Sequence, residues 1–476
     1  MSQDDAGVVG SSSVAENDRS KAQRIVDSNN EDKISYLPEG VLGKILSLLV
    51  TKDAIRTSVL SKRWIYNWTL IDKIDLDDTL LYSKIAVYSQ NRSNTVNTHF
   101  VNLVNRILRH VNSSIQSCHL KLSLDNSYHL NSWIIAILEK RVQNLRIRAA
   151  AIYFVLYPCS LFDCNTLVEL ILDIDCTVKV PMFNCLPKLQ LLRLYGITFD
   201  CSSSSTKLKE FVLSLPVLKV FASRQCLWYN VTIDAPLLES FYLEFFNNGP
   251  SYATPTCPLG VVRVCTSGVA KFFYRGHLLE GIVVFDPPLV HNASTDLLIE
   301  TCQKEDVQDT ATHVCVLLSQ IKEVECLKLA FRKHLVFSND FLANSPVFGR
   351  LTSLQLDKLT AEALLDLLNK SPNLKTLVLN HATTGLDKDF FASSMVPHCL
   401  LYSLKVVRIR EFEHGHIHLA KFVIENAAVL EHMDISTVML WRNTVPGMQK
   451  IKEEVYSFSQ CSSNALIEFS INSSDY

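Results

Sequence analysis

The chain has 476 residues, of which 48% are hydrophobic and 20% are charged. This composition supplies ample apolar surface for a core and excludes a disordered, collagen-like or coiled-coil chain. Its 46 basic and 48 acidic residues give a formal net charge of −2, which excludes a chain-wide electrostatic footprint for nucleic acid or anionic lipid. No apolar run approaches the roughly 18 residues that cross a bilayer. The longest, residues 149–157, is predicted as a buried strand or a short helix.

The first thirty residues are rich in polar and acidic side chains and contain no apolar h-region. We therefore expect no secretory signal and interpret residues 1–31 as a disordered leader. The 14 cysteines include no C-x-x-C pair. Without a signal peptide, reduced and buried thiols are favoured over disulfides, and the sequence predicts an intracellular location, in the nucleus and/or the cytoplasm.

Residues 32–80 have the pattern of three short helices. Pro38 suits the first turn of a helix, after which apolar residues recur at helical spacing as far as Leu49. A later helix is expected to carry Trp64 and Trp68 on one face. So small a module has more apolar side chains than it can bury alone. The surplus either packs onto the following domain or is offered to a partner protein, and the pattern leaves both open.

The run RTSVLSKRW at residues 56–64 resembles the signature of an F-box of the type abundant in plants, and residues 37–38, 45–49 and 51–54 extend the match. Val50 departs from it, since the family often has proline there. The resemblance implies docking onto a Skp-type adaptor and, through it, onto a cullin–RING ubiquitin ligase. The adaptor-binding residues that it implies are Leu37, Pro38, Leu42, Ile45, Leu46 and Leu49. The F-box structural residues that it implies are Val59, Leu60, Trp64 and Trp68.

Residues 87–395 repeat a short pattern, apolar-x-x-apolar-x-apolar, at intervals typical of leucine-rich repeats. One repeat of this kind cannot bury its own apolar face, so stacked copies are predicted to form a parallel-sheet horseshoe with a continuous core. Helices, turns or loops are expected between the strands. The polar residues between the inward leucines are expected to project from the concave face. Copies begin at Val142, Leu167, Leu189, Leu208, Leu238, Val324, Leu351 and Leu374.

The repeat pattern is poor over residues 244–323. About three degenerate repeats fit this interval, and an inserted loop that contacts a ligand fits equally. Residues 261–264 and 281–285 have the composition of strands, and Pro287-Pro288 marks a turn.

Residues 396–436 resemble the FBD region that follows the repeats in a subset of plant F-box proteins. The match rests on residues 396–397, 399–401, 403–405 and 425–431. Its physical interpretation is a terminal repeat that shields the last core layer. Residues 437–476 are interpreted as a C-terminal extension.

No nucleotide-binding loop, nucleophile elbow or zinc-protease motif is present in the sequence. His414, His416 and His418 would share one face of a strand and could bind a metal, but a solvated turn around Gly415 is favoured.

Two charged clusters each allow a functional interpretation and a structural one. The aspartates at 75, 77 and 78 could be paired carboxylates for acid–base chemistry, although solvated linker charges are favoured. The arginines at 141, 146 and 148 could hold a phosphate, although an exposed repeat edge is favoured.

The sequence therefore predicts an α/β chain with an N-terminal three-helix F-box, a leucine-rich-repeat solenoid and a C-terminal FBD-like cap. The leading hypothesis is the non-catalytic substrate-recognition subunit of an SCF-type ubiquitin ligase, which binds the adaptor through the F-box and an unidentified target protein through the repeats. No cofactor, metal, nucleic acid or membrane partner is expected. The alternative is a non-degradative repeat scaffold. A metal-dependent hydrolase at His414–His418 and a co-receptor for a small molecule are further hypotheses.

Overall fold

The structure is a computed structural model. The predicted leader lies outside the residues that it describes. These are 34, 36–79, 90–111, 114–123, 127–156, 159–179, 183–200, 211–228, 230–245, 261–277, 283–289, 292–300, 307–331, 344–380, 388–412, 415–438 and 445–472.

Helices lie mainly in the first and last thirds of the described chain, and strands run throughout. The helices are α1 (Glu39–Leu46), α2 (Thr51–Arg56), α3 (Gln90–His110), α4 (Ser127–Glu139), α5 (Val307–Gln320), α6 (Ala361–Asn369), α7 (Lys388–Ser393), α8 (His398–Tyr402), α9 (His416–Asn426) and α10 (Val445–Tyr456). The first ten strands are β1 (Lys73–Asp77), β2 (Ser117–Leu122), β3 (Asn144–Leu156), β4 (Glu169–Lys179), β5 (Phe183–Cys185), β6 (Leu191–Asp200), β7 (Phe211–Ser214), β8 (Val220–Arg224), β9 (Val231–Asp234) and β10 (Ser240–Glu244). The others are β11 (Val262–Cys265), β12 (Lys271–His277), β13 (Val283–Phe285), β14 (Asn292–Glu300), β15 (Val324–Phe331), β16 (Ser353–Asp357), β17 (Thr376–Leu379), β18 (Val406–Ile409), β19 (His432–Val438) and β20 (Leu466–Asn472).

Fifteen strands form one parallel sheet, in the order β1-β2-β3-β4-β6-β8-β10-β12-β14 and then β15 to β20. The predicted repeat pattern explains it. In β4, Leu170 and Leu172 are fully buried while the alternate side chains are partly exposed, because successive residues of a strand point to opposite faces. Most strands therefore contribute two or more apolar side chains to a common core. The predicted parallel repeat sheet is confirmed.

A second parallel sheet, in the order β13-β11-β9-β7-β5, lies where helices or loops were expected between the central repeats. The position of this sheet shows that one predicted copy of the repeat pattern, the one that begins at Leu208, was assigned to the wrong sheet. Phe211 and Leu213 lie in β7 of this smaller sheet, and the strand of the large sheet that follows is β8, with Phe221. Both segments alternate apolar and polar residues, and this period identifies a strand without identifying its sheet. Leu208 lies outside the described residues.

The interval 244–323 contains repeat strands. Its strands β12 and β14 join the large sheet, and β11 and β13 join the small one. The strand prediction for 261–264 corresponds to β11, and that for 281–285 corresponds to β13 from residue 283 onward, since residues 281 and 282 lie outside the described residues. The strand interpretation of residues 149–157 is also confirmed as far as residue 156, by β3.

Aromatic rings fill the space between the two sheets. Phe199 of β6 stacks on Trp228 with centroids 4.3 Å apart, and Trp228 donates a hydrogen bond from Nε1 to Ser223 Oγ at 2.9 Å. Buried indole N–H groups need such an acceptor. Side chains of both sheets contribute to the ring contacts: Phe162, Phe199, Phe211, Phe221, Trp228, Phe241, Phe272 and Phe285.

The C-terminal region continues the sheet beyond the point that the sequence suggests. Strands β18 and β19 flank α9 as predicted, but β20 follows and pairs with β19. Residues 396–436 are therefore internal, and the last strand comes from the segment interpreted as an extension. Leu466 on this strand is 55% exposed, since no further described strand covers the edge.

Candidate functional site

The N-terminal module has two apolar faces that the helical spacing alone does not separate. On α1, Leu42 and Leu46 are 4% and 1% exposed, whereas Ile45 is 40% exposed. The inward face packs against the turn at residues 67–70. A Cβ added at Gly43 would lie 2.8 Å from the carbonyl oxygen of Leu70, so only glycine allows this approach.

The buried side of the module is closed by two tryptophans. Trp64 and Trp68 are 7% and 2% exposed. They lie in separate 3₁₀ turns, Lys62–Trp64 and Asn67–Leu70, and not in the single helix that the spacing predicts. Their structural assignment agrees with this burial, although the helical geometry is wrong.

Hydrogen bonds and strand pairing connect the module to the repeat sheet. The Thr51 hydroxyl accepts the Asp75 N–H at 2.7 Å, and the Ser47 hydroxyl accepts the Asp72 N–H at 3.1 Å. Strand β1 then pairs in parallel with β2. The N-cap position of α2 is Val50, and no side chain caps this helix. The module is thus positioned by the sheet.

The other face of the module is exposed and strongly apolar. Half of the 22 large hydrophobic side chains that are exposed in the described part of the chain lie between residues 34 and 66. Such a concentration of exposed apolar side chains in one small module is typical of a surface that a protein partner covers. We call these residues the apolar surface: Ile34, Tyr36, Val41, Ile45, Leu48, Leu49, Val50, Val59, Leu60, Ile65 and Tyr66.

The six predicted adaptor-binding residues fall into an exposed or partly exposed group and a buried group. Ile45 and Leu49 are exposed, Pro38 is exposed and Leu37 is partly buried. Leu42 and Leu46 point into the chain's own core, so their assignment to a surface for a partner is corrected: the helical stripe is wide enough to serve both faces.

Val59 and Leu60 require the opposite correction. They were assigned as structural, but they are 84% and 68% exposed, because the segment Thr57–Val59 forms a 3₁₀ turn that leaves them outside. The sequence prediction did not include Leu48 and Val50 among the residues that could contact a partner. The signal was three consecutive apolar residues at 48–50, which cannot all face one core from a helix end.

Of the three aspartates that follow the module, Asp77 and Asp78 are partly or fully buried, whereas the Asp75 side chain is 52% exposed, as expected for a solvated charge. Asp75 lies 3.1 Å from His119 Nδ1, and Asp77 lies 3.0 Å from Lys121 Nζ. Asp78 is fully buried, and both its oxygens accept the Ser123 N–H at 2.8 Å. Burial by itself raises the pKa of Asp77, but hydrogen bonds from Thr79 and Lys121 outweigh it and leave the pKa below its ordinary value.

A pocket of about 460 Å³ lies where the turn after α1 meets the first strands of the sheet. Leu48, Leu49 and Val50 line one side, and charged residues from β1 to β4 line the other. The charged lining includes Lys73 and Arg146, together with Asp75 and Glu169. Since the charges balance, the pocket favours no ligand of one sign.

The metal and phosphate alternatives, which the sequence disfavoured, gain no support from the described residues. His416 begins α9 and is 1% exposed, and His418 lies on the same helix, so their side chains do not share a face as they would on a strand. His414 lies outside the described residues. Among the described side chains, no group of three histidine, cysteine or acidic residues could hold a metal ion. The three arginines are exposed, and Arg148 donates to Asp173 at 3.0 Å.

The ten cysteines whose side chains are described are all free thiols, and five of them are buried. Burial and the nearby Asp75 carboxylate raise the pKa of the Cys118 thiol to about 12. Such a thiol stays protonated and is a poor nucleophile. No helix in the described ranges is long and apolar enough to span a bilayer.

Comparison with known proteins finds a domain family at each of the two segments for which the sequence showed a resemblance. The F-box domain family matches residues 34–66, which is the segment that carries the apolar surface, and the FBD family matches residues 393–435. An F-box/FBD/LRR-repeat protein of Arabidopsis thaliana is 27% identical over 467 residues, covering 94% of this chain and 97% of its own length. A putative F-box/FBD/LRR-repeat protein of the same plant is 29% identical over 394 residues, covering 80% and 85%.

These two domain matches, the full-length relatives and the parallel repeat sheet between the domains agree with one another. The chain carries an F-box match near its N-terminus and an FBD match near its C-terminus, and it is similar over most of its length to F-box/FBD/LRR-repeat proteins of Arabidopsis thaliana.

Proposed function

We propose that this F-box protein is the substrate-recognition subunit of an SCF-type ubiquitin ligase. Its F-box binds a Skp-type adaptor, its repeats bind a target protein, and the chain itself forms and breaks no covalent bond. Its contribution is proximity: a target lysine is kept near the charged ubiquitin carrier, which raises the effective concentration of the two reactants.

The observation that carries this proposal is the apolar surface on residues 34–66. Leu48 and Val59 are 82% and 84% exposed, although burial of such a side chain is worth about 1.5–3 kcal/mol. The same segment is the one that the F-box family matches. A surface that is apolar, confined to one small module and anchored from behind by Leu46 and Trp68 is suited to a permanent protein partner.

The test is adaptor binding by the purified full chain. Leu48→Asp introduces a charge on the apolar surface, and we expect it to weaken the complex by at least about tenfold. The matched control is Leu237→Asp, since Leu237 is 56% exposed but lies in the repeats. Circular dichroism establishes that both variants are folded. Equal adaptor affinity of the wild type and the Leu48→Asp variant would contradict the docking assignment.

A second measurement distinguishes the ligase subunit from a non-degradative scaffold that also binds the adaptor. The ligase subunit co-purifies with the cullin through the adaptor and supports ubiquitin chains on the bound protein. A scaffold binds the adaptor but does neither.

A further inference from the structure

The register of the large sheet arranges its exposed side chains in rows that cross the strands. We call the face that carries them the open face, since the alternate side chains are buried in the core. One row contains Arg193, Ala222, Tyr242 and Phe273, on β6, β8, β10 and β12 in succession. The rings of Tyr242 and Phe273 have centroids 6.2 Å apart, and both side chains are partly exposed. Such a pair offers an apolar anchor site.

The next row, towards the carboxyl ends of the strands, places two guanidinium groups beside one carboxylate. Arg224 Nε lies 3.1 Å from Glu244 Oε2, and Arg275 Nη1 lies 3.4 Å from Oε1 of the same residue. The Glu244 side chain is 19% exposed, whereas that of Arg224 is 52% exposed. Glu244 therefore orients both arginines, and this group of three keeps a formal charge of +1.

Charge distinguishes these strands from the C-terminal part of the open face. At three successive rows, β6, β8, β10 and β12 carry four cationic side chains and one anionic side chain. The same rows on β14 to β20 carry two cationic and four anionic side chains. The whole chain has a net charge of −2. The four cations of the central strands are Arg193, Arg224, Lys271 and Arg275.

We propose that this central patch (Arg193, Arg224, Tyr242, Lys271, Phe273 and Arg275) holds the target protein by an acidic segment that carries an aromatic side chain. The proposal deepens the proposed function and rests on it for the identity of the occupant as a target. Arginine and aromatic side chains are the residues that dominate protein interfaces. Acidic side chains complement the cations and determine the register, while an aromatic side chain packs against the Tyr242–Phe273 pair.

The surroundings of the patch favour a protein over a nucleic acid. Its neighbours on the open face include Val220 and Ala222, so apolar contact is available beside the charges. A nucleic acid carries a charge at every nucleotide, so beyond the patch it would also meet the acidic rows of β14 to β20, which oppose its binding. A short acidic segment meets only the patch.

The experiment measures binding of a fluorescent random copolymer of glutamate and tyrosine to the full chain by anisotropy. Polyglutamate is the probe that lacks the aromatic anchor, and oligothymidylate is the nucleic-acid probe. We expect the glutamate–tyrosine copolymer to bind tightest. Arg193→Glu and Phe273→Ser should each weaken it by about tenfold.

The matched control is Arg408→Glu, because Arg408 occupies the corresponding row on β18 and is exposed. It should bind the copolymer as the wild type does. Unchanged binding by Arg193→Glu and Phe273→Ser would overturn the proposal, as would equal affinity for polyglutamate or tighter binding of oligothymidylate. The Leu48→Asp variant should retain copolymer binding. Adaptor binding and copolymer binding are therefore separate measurements, and failure of the adaptor assignment can be distinguished from failure of the patch proposal.

Discussion

The two neighbouring residues Ile45 and Leu46 should separate stability from adaptor binding. Leu46 is 1% exposed and Ile45 is 40% exposed, although both were assigned from sequence to the same adaptor surface. Truncation of a fully buried leucine to alanine costs about 2–5 kcal/mol, because transfer free energy is lost and a cavity remains. Truncation of a half-exposed isoleucine should cost less than about 1.5 kcal/mol.

Adaptor affinity should show the reverse order. Ile45→Ala removes apolar contact from the apolar surface, and we expect a loss of about 1 kcal/mol, or about fivefold in affinity. Leu46→Ala leaves that surface in place, so its affinity should match the wild type under conditions in which the module is folded.

The assay combines hydrogen exchange with calorimetry. Amide exchange in α1 reports opening of the module, and a loss of about 3 kcal/mol in Leu46→Ala accelerates exchange by about 100-fold. Titration calorimetry with the purified adaptor reports affinity. The division of α1 into an inward and an outward face would be refuted if Leu46→Ala preserved amide protection and weakened adaptor binding as much as Ile45→Ala.

Three further predictions follow from the geometry of the module and the sheet. No atom lies within 4 Å of the position that a Cβ would take at Gly40, so Gly40→Ala should stabilise α1 by up to about 1 kcal/mol. Gly43→Ala should destabilise α1 by about 1–3 kcal/mol, because its Cβ clashes with the neighbouring turn. Chemical denaturation measures both changes in stability, and the same sign for both variants would contradict this. The lowered pKa of Asp77 stabilises the fold above the ordinary value of 3.8 and ceases to do so as the pH falls through the lowered value. Acid unfolding should therefore be steeper in the wild type than in Asp77→Asn, and superimposable curves would exclude this role. Alkylation of the native chain followed by peptide mapping should label Cys461, which is exposed, before Cys118, which is buried; early labelling of Cys118 would show that its site opens.

The repeat sheet could be predicted from the sequence because its signal is local and repeated. Leu170 and Leu172 alternate with polar residues and recur at the repeat period, so a single physical rule places them in the core. The small sheet could not be predicted in the same way. Phe211 and Leu213 satisfy the same alternation, and only tertiary packing decides which sheet receives them.

At the candidate site, too, the sequence prediction was incomplete because tertiary packing decides which way each side chain faces. The F-box segment was identified from its signature, but a helical stripe does not specify how many partners it serves. Leu46 and Ile45 therefore received one assignment although they face opposite sides. The central patch was not predicted, since its charge and aromatic side chains become neighbours only when distant repeats align: Arg193 and Phe273 are separated by 80 positions in the chain.

The most direct test of the account is hydrogen exchange of the full chain with and without a purified Skp-type adaptor. We expect protection of amides within residues 39–66 on complex formation and unchanged exchange in strands β6 to β12. A complex that left residues 39–66 unprotected, or that protected the repeat strands in their place, would contradict the claim that the apolar surface is the adaptor site.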